Sequence, residues 1–411
     1  MFSTSMTTLV SPKVKFGLCF VIHFLIALDA LIIVPFSAQM TLSAGANASN
    51  SGLLVSAYAI AAALVCLWVR GTNNLSLEKY KLFTLLLAIT FLTLLTPTLE
   101  SFYALLAVRA LTGICGGALV VLNLNLVILL SDEDHKKKDT AILLSAFPLA
   151  LAGGIPALLF ITTNQGWQLG MLVLGCGLAV ASVLFMLIIS ALTPHCQNAS
   201  LLNQPESQTR QPFQLTKVLR YALLMTFTVV LSTFAISTQF PVMLITNLNI
   251  SSASLGTCYL FGGVCSFIAI QLYARCKLSS QATAYLIYLL STLMILAVLI
   301  GFKMSSNDFS AAFFTLFVVA SSSRSMVLVT ELISSLQAQS RSIFISLQNA
   351  LQHFAIATGG SIASLLVVPH ENQMLNFNAL VVAAVILITI TAIMWRNFQK
   401  GSVSRDLTTS R

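Results

Sequence analysis

Apolar runs of about 20 residues, separated by short polar breaks, follow one another along almost the whole chain. They fall near 14–40, 51–69, 81–99, 102–130, 140–162, 167–192, 218–244, 252–273, 281–302, 309–330, 342–368 and 374–398. A spanning β-strand needs only about ten residues of alternating polarity, so runs of this length predict helices. The expected fold is an all-α polytopic membrane protein of twelve transmembrane helices. A polar stretch with three prolines, TPHCQNASLLNQPESQTRQPFQ, follows the sixth run and divides the chain into two six-helix halves. The expected organisation is an N-terminal half over 1–192, a linker over 193–217, a C-terminal half over 218–398 and a tail over 399–411. The halves echo each other at a shared offset of 201, SGLLVSAY (51–58) against SASLGTCY (252–259) and Ile142 with Ser145 against Ile343 with Ser346. Pseudo-symmetric repeats of this kind are how many transporter folds are built.

Composition agrees with the pattern. The 411 residues are 57% hydrophobic and 8% charged, with a mean hydropathy of +0.92, more apolar than one or two soluble cores require. The eight cysteines are scattered with no CxxC spacing, so they read as small buried residues and imply neither disulfides nor zinc. Lys13, Lys15 and Ala44-Gly45-Ala46 could mimic a secretory signal, but the run between them is long and contains Asp29, so it is expected to be retained.

Charge fixes the expected orientation. Nineteen of the twenty-one lysines and arginines, Arg324 among them, are assigned to one side; Lys303 falls on the other, and Arg109 inside a span. By the positive-inside rule both termini are cytoplasmic, in the inner membrane for a bacterial source. The formal charge of +9 then reflects topology and an anionic leaflet, with no nucleic-acid partner required.

Two charges stand out inside the apolar runs. Asp29 lies halfway along the first, where a carboxylate costs about +2.5 to +3.5 kcal/mol on insertion scales. Arg109 lies at a similar depth in the fourth, about 10 Å from the end against about 14 Å for Asp29, at 1.5 Å per residue. The two can pair, either to couple transport to protons or as a static ion pair. Asn123 falls on the face of Arg109 and is a candidate solute ligand or an interhelical hydrogen-bonding group. Leu25 and Phe36 share the face of Asp29 and are candidates for an apolar cavity wall. In the eleventh run, Gln348 stacks over Gln352 and Asn349 over His353 at i, i+4 spacing. That stripe fits a solute cavity or a helix seam, with His353 as a second proton site or a structural histidine. His23 points about 120° away from Asp29. In the seventh run Thr233 and Phe240 share one face, Ser232 and Gln239 another. Spans three, six, nine and twelve are nearly all apolar and are expected to face lipid. HExxH, GxSxG and P-loop spacings are absent, which argues against an enzyme, a metal or other cofactor, and an ATP-driven pump.

Twelve spans in two halves resemble the major facilitator superfamily along essentially the whole chain. The most specific match is LLAVRALTGICGG, with Leu105, Arg109 and Gly113 in signature positions and Thr112 where glutamine is usual. The resemblance to the proton-coupled drug-efflux branch implies that Arg109 takes part in a proton relay with an acid of span one. The loop GTNNLSLEKYK resembles the family's gating loop in Gly71 and Lys81, with Leu75, Ser76 and Glu78 replacing its acid, basic residue and second glycine. PLALAGGIPALLF resembles the antiporter motif in Gly153, Gly154 and Pro156, and Gly166-Trp167 resembles Gly-Trp-Arg with Gln168 in place of arginine. These residues are the gating candidates. The resemblance implies a monomeric secondary transporter in the lipid bilayer, with a small organic molecule and protons as its partners. Proton-coupled efflux leads; import of a nutrient such as an amino acid, siderophore or nucleoside by symport, and a non-transporting receptor or scaffold, are the alternatives.

Overall fold

The computed structural model describes residues 11–69, 74–132, 135–188, 216–276, 278–303, 307–336, 338–370 and 374–409. Within them the apolar runs become helices. Spans one to four are Pro12–Ser43, Ser51–Trp68, Leu75–Leu95 and Phe102–Leu130. Span five is broken into Lys136–Leu144, Ala146–Leu149, a π-helical turn over Ala150–Gly154, and Ile155–Ile161. Span six is Trp167–Ile188, and span seven combines Lys217–Ser237 with Phe240–Thr246. Spans eight to twelve are Ser252–Arg275, Ser280–Gly301, Asn307–Ser335, Ala338–Leu366 and Asn378–Thr409. The expected linker falls almost entirely outside the described residues, as does Gly71.

Local chemistry explains the ends and the breaks. Asn74, Thr216, Ser251 and Ser279 cap the starts of spans three, seven, eight and nine by accepting hydrogen bonds from backbone N–H groups that the helix leaves free. Gly166 turns the chain between spans five and six at φ +80°, a conformation that a Cβ disfavours. Span seven breaks where Pro241 opens its second segment, because proline has no N–H to continue the ladder. Spans three and ten are longer than the apolar runs alone predict. At the start of span three the stems of Lys79 and Lys81 can lie along apolar surface while their charges reach water.

Eleven of these helices are long and apolar enough to cross a membrane. Span eleven is the twelfth long helix, and it is the one that carries the stripe of Gln348, Asn349, Gln352 and His353. Spans three and twelve each bury only 33% of their apolar window, against 61% in span one, consistent with lipid contact for the first two and a central place for the third.

Span four packs on span two at very short range. A Cβ added at Gly113 would lie 2.9 Å from Tyr58 Cα, and one at Gly117 would lie 2.9 Å from Ala62 Cα. Small residues let two backbones approach closely where lipid supplies no hydrophobic drive. The two halves meet by the same device, chiefly through span two against span eleven and span five against span eight. A Cβ at Gly52 would lie 2.6 Å from Ser364 Oγ, and one at Gly256 would lie 3.2 Å from Leu159 Cβ. Ser56 Oγ donates to Ala357 O at 2.8 Å and Gln239 Nε2 to Ser49 O at 3.4 Å. These contacts lie toward the lysine-poor end. There a two-stranded antiparallel pair, Val368–Pro369 with Leu375–Asn376, links spans eleven and twelve and is tied to span seven by Asn247, whose side chain bonds both the N–H and the C=O of Leu375.

One charge assignment needs correcting. Arg324, counted above with the charges of one membrane side, lies within span ten with no exposed surface. Charge-counting placed it by its sign and its nearness to a span end; the helix runs eleven residues beyond it to Ser335.

Candidate functional site

Asp29 and Arg109 meet. Arg109 Nη1 lies 3.2 Å from Asp29 Oδ2, neither side chain has exposed surface, and this is the one ion pair among the described residues. Each carboxylate oxygen has a donor: Arg109 serves Oδ2, and Thr93 Oγ1 of span three donates to Oδ1 at 3.1 Å. Arg109 Nη2 also donates to the backbone carbonyl of Asp29 at 3.3 Å, while its Nε has no partner. The guanidinium lies over the ring of Tyr58 in span two, 4.8 Å from the centroid, a cation–π contact worth about 2 kcal/mol when desolvated. Tyr58 rests on the glycine face of span four, where a Cβ at Gly116 would lie 3.1 Å from its Cζ. Four spans of one half therefore converge on one acid.

Tyr58 also faces the other half. Its ring lies 6.5 Å from that of His353 in span eleven, tilted by 56°, and His353 Nδ1 is buried without a partner. The Asp29 cluster thus lies one ring away from the seam between halves.

The remaining sequence candidates divide by location. Asn123 donates through Nδ2 to Cys19 O at 2.8 Å and lies 3.5 Å from His23 Nδ1, with its own Oδ1 partnerless. It joins spans one and four at a second level, and His23 turns to it rather than to Asp29. Gln348 and Gln352 are partly exposed and lie on the same helix as His353, Gln352 immediately before it and Gln348 five residues before it, toward the lysine-rich end. Leu25 and Phe36 are directed at span six: a Cβ at Gly177 would touch Leu25 Cδ2 at 3.4 Å, and one at Gly170 would touch Phe36 Cε2 at 2.6 Å. Among the gating candidates, Gly153 and Gly154 end the π-helical turn and Pro156 follows it. Gly154 packs against Leu28 and Phe24 of span one, whereas Gly153 has open space around it. Lys81 is half-buried near the start of span three.

Four side chains were not singled out from the sequence. Thr93 and Tyr58 complete the Asp29 cluster, and the only signal for Tyr58 was its place at the end of the repeat SGLLVSAY. Glu78, read as a loop residue, is buried in the first turn of span three and accepts a hydrogen bond from Asn125 of span four. Arg324 donates through Nη2 to Ser232 Oγ of span seven at 2.7 Å, while its Nε and Nη1 are partnerless. No group of three or more His, Cys, Asp or Glu side chains able to hold a metal ion occurs among the described residues.

Solved structures share this architecture. A bacterial homologue of the human lysosomal transporter Spinster, in an inward-facing and occupied conformation, aligns with a TM-score of 0.69 at 12% identity over 95% of this chain and 98% of its own. A point mutant of the nucleoside transporter NupG aligns at 0.67 and 10% identity over 93% and 99%. The human organic anion transporter MFSD10 aligns at 0.59 and 14% identity over 94% and 100%. At such identities the likeness is one of fold. The family model of the Major Facilitator Superfamily matches residues 19–360. The chain therefore belongs to the Major Facilitator Superfamily: it is a multi-pass membrane transporter of a small-molecule solute, and not an enzyme.

Proposed function

We propose that this transporter is a secondary active antiporter that exports a small organic molecule in exchange for protons, with Asp29 as the proton-carrying group and Arg109 as its switchable partner. The observation that carries the reading is the fully buried Asp29–Arg109 pair, 3.2 Å apart and separated from the seam between halves only by the Tyr58 ring. A protonated acid no longer holds Arg109, which frees the guanidinium to shift on Tyr58 and so alter how span two meets span eleven. Alternating access by rocking of the halves around a midplane site is the motion such a seam would serve. With the lysine-rich end cytoplasmic, a seam toward the lysine-poor end leaves the cavity open inward. Asn123, Gln348, Gln352 and His353 are the solute-facing groups in this reading, and the π-helical turn before Pro156 is the point where span five bends. The half-buried Lys81 and the loop around Gly71 would latch the cytoplasmic side. Protomers act singly.

In inside-out vesicles, Asp29→Asn is expected to abolish uphill transport while leaving a folded, membrane-inserted protein; full gradient-driven transport by that variant would remove Asp29 from the coupling. Import by proton symport would use the same pair. Cells lacking the protein retain an exporter's solute but fail to accumulate an importer's, so flux direction separates the two.

A further inference from the structure

In the C-terminal half one buried cation has no countercharge among the described residues. Arg324 lies near the middle of span ten and has no exposed surface. Its one hydrogen-bonding partner is neutral: Ser232 Oγ accepts from Nη2 at 2.7 Å while its own O–H donates to Val229 O. Nε and Nη1 are buried with nothing to donate to. Arg109 is neutralised by Asp29, but Arg324 makes no ion pair. The nearest acid on its own helix, Glu331, is two turns away and takes a hydrogen bond from Tyr273. A guanidinium stays protonated under all ordinary conditions, and a charge buried without a partner is strongly unfavourable. A negative group joining Arg324 during the working cycle would offset that cost.

We infer that Arg324, held by Ser232, forms an anion-binding site between spans seven and ten that takes a carboxylate, sulfonate or phosphate group. The planar fork of guanidinium N–H donors matches such oxyanions, and two of its nitrogens are free for the purpose. The site joins spans seven and ten of the C-terminal half, the half that does not hold Asp29. If the anion belongs to the transported solute, the reading rests on the proposed transport function and makes that solute acidic; a free inorganic anion would act instead as a bound counterion.

The test is equilibrium binding to the purified full-length protein in detergent, without any gradient, so its outcome does not depend on whether Asp29→Asn abolishes transport. Benzoate and sulfate serve as the organic and inorganic probes, read by the shift of the thermal unfolding midpoint. Either probe should raise the midpoint of the wild type, and Arg324→Gln should weaken that response at least about tenfold. Arg324→Gln should also unfold at a higher temperature than the wild type when no anion is present, because it removes an uncompensated charge. Arg324→Lys, which keeps the charge but loses the fork, should keep a weakened response, and it carries the test if Arg324→Gln fails to fold. A response to benzoate alone assigns the site to the solute, and a response to sulfate alone assigns it to a counterion. A wild type indifferent to both probes, or an unchanged response in either variant, overturns the inference.

Discussion

The Asp29–Arg109 pair is worth more as a pair than either residue alone. Removing one member of a buried ion pair strands the other and costs about 3–5 kcal/mol, whereas removing both together is often nearly neutral. Arg109→Gln is thus expected to lower the unfolding midpoint of the purified protein by several degrees, and Asp29→Asn combined with Arg109→Gln to recover most of the loss. Additive losses in that cycle would mean that the two do not compensate each other. The pair was legible in the sequence because a charge in an apolar run is expensive, and the depth of each could be counted along its helix. Its supporting groups were not. Thr90 and Thr96 return their hydroxyls to the carbonyls of Leu86 and Leu92 four residues earlier, the usual way a threonine satisfies itself within a helix. Thr93, in the same run, turns to Asp29 instead, and nothing in the local sequence distinguishes it from its neighbours. Arg324 was misplaced for a related reason, since charge-counting assumes that a cation seeks water.

Among the helices, the glycines separate packing from flexibility. Gly113 and Gly117 are pressed against the backbone of span two, but Gly153 has nothing within 4 Å of the position its Cβ would take. Gly113→Leu is therefore expected to abolish the monodisperse, folded fraction on size-exclusion chromatography, and Gly153→Ala to leave it unchanged. A well-folded Gly113→Leu protein would mean that spans two and four are not so close. Apolar run length was enough to predict every span, and errors were confined to the ends, where lysine stems and hydroxyl caps extend a helix beyond its apolar part. The internal breaks were less legible. Proline marks the break in span seven, but no local signal marks the π-helical turn in span five, whose last residue, Gly154, packs against Leu28 and Phe24 of span one.

At the level of the whole molecule, two halves meet along a seam of small residues, anticipated in outline by the shared offset of 201 but not in its partners. In a background stripped of native cysteines, Ser56→Cys with Ala357→Cys should form a disulfide under mild oxidation, stop transport, and release it on reduction. Transport that continues in the fully crosslinked protein would show that the halves need not part there. The seam also bears on how readily the transporter opens. Where it is closed, Ser51 Oγ, Gln239 Oε1 and Ser364 Oγ have no hydrogen-bonding partner, and each buried polar atom left in that state forfeits about 1–3 kcal/mol. When the halves separate, water reaches all three and recovers much of what the lost contacts between Ser56 and Ala357 gave up. The shut form is then less favoured over the open one than its contacts alone would make it. A seam closed with polar atoms unpaired parts more readily than one in which every such atom had found a partner.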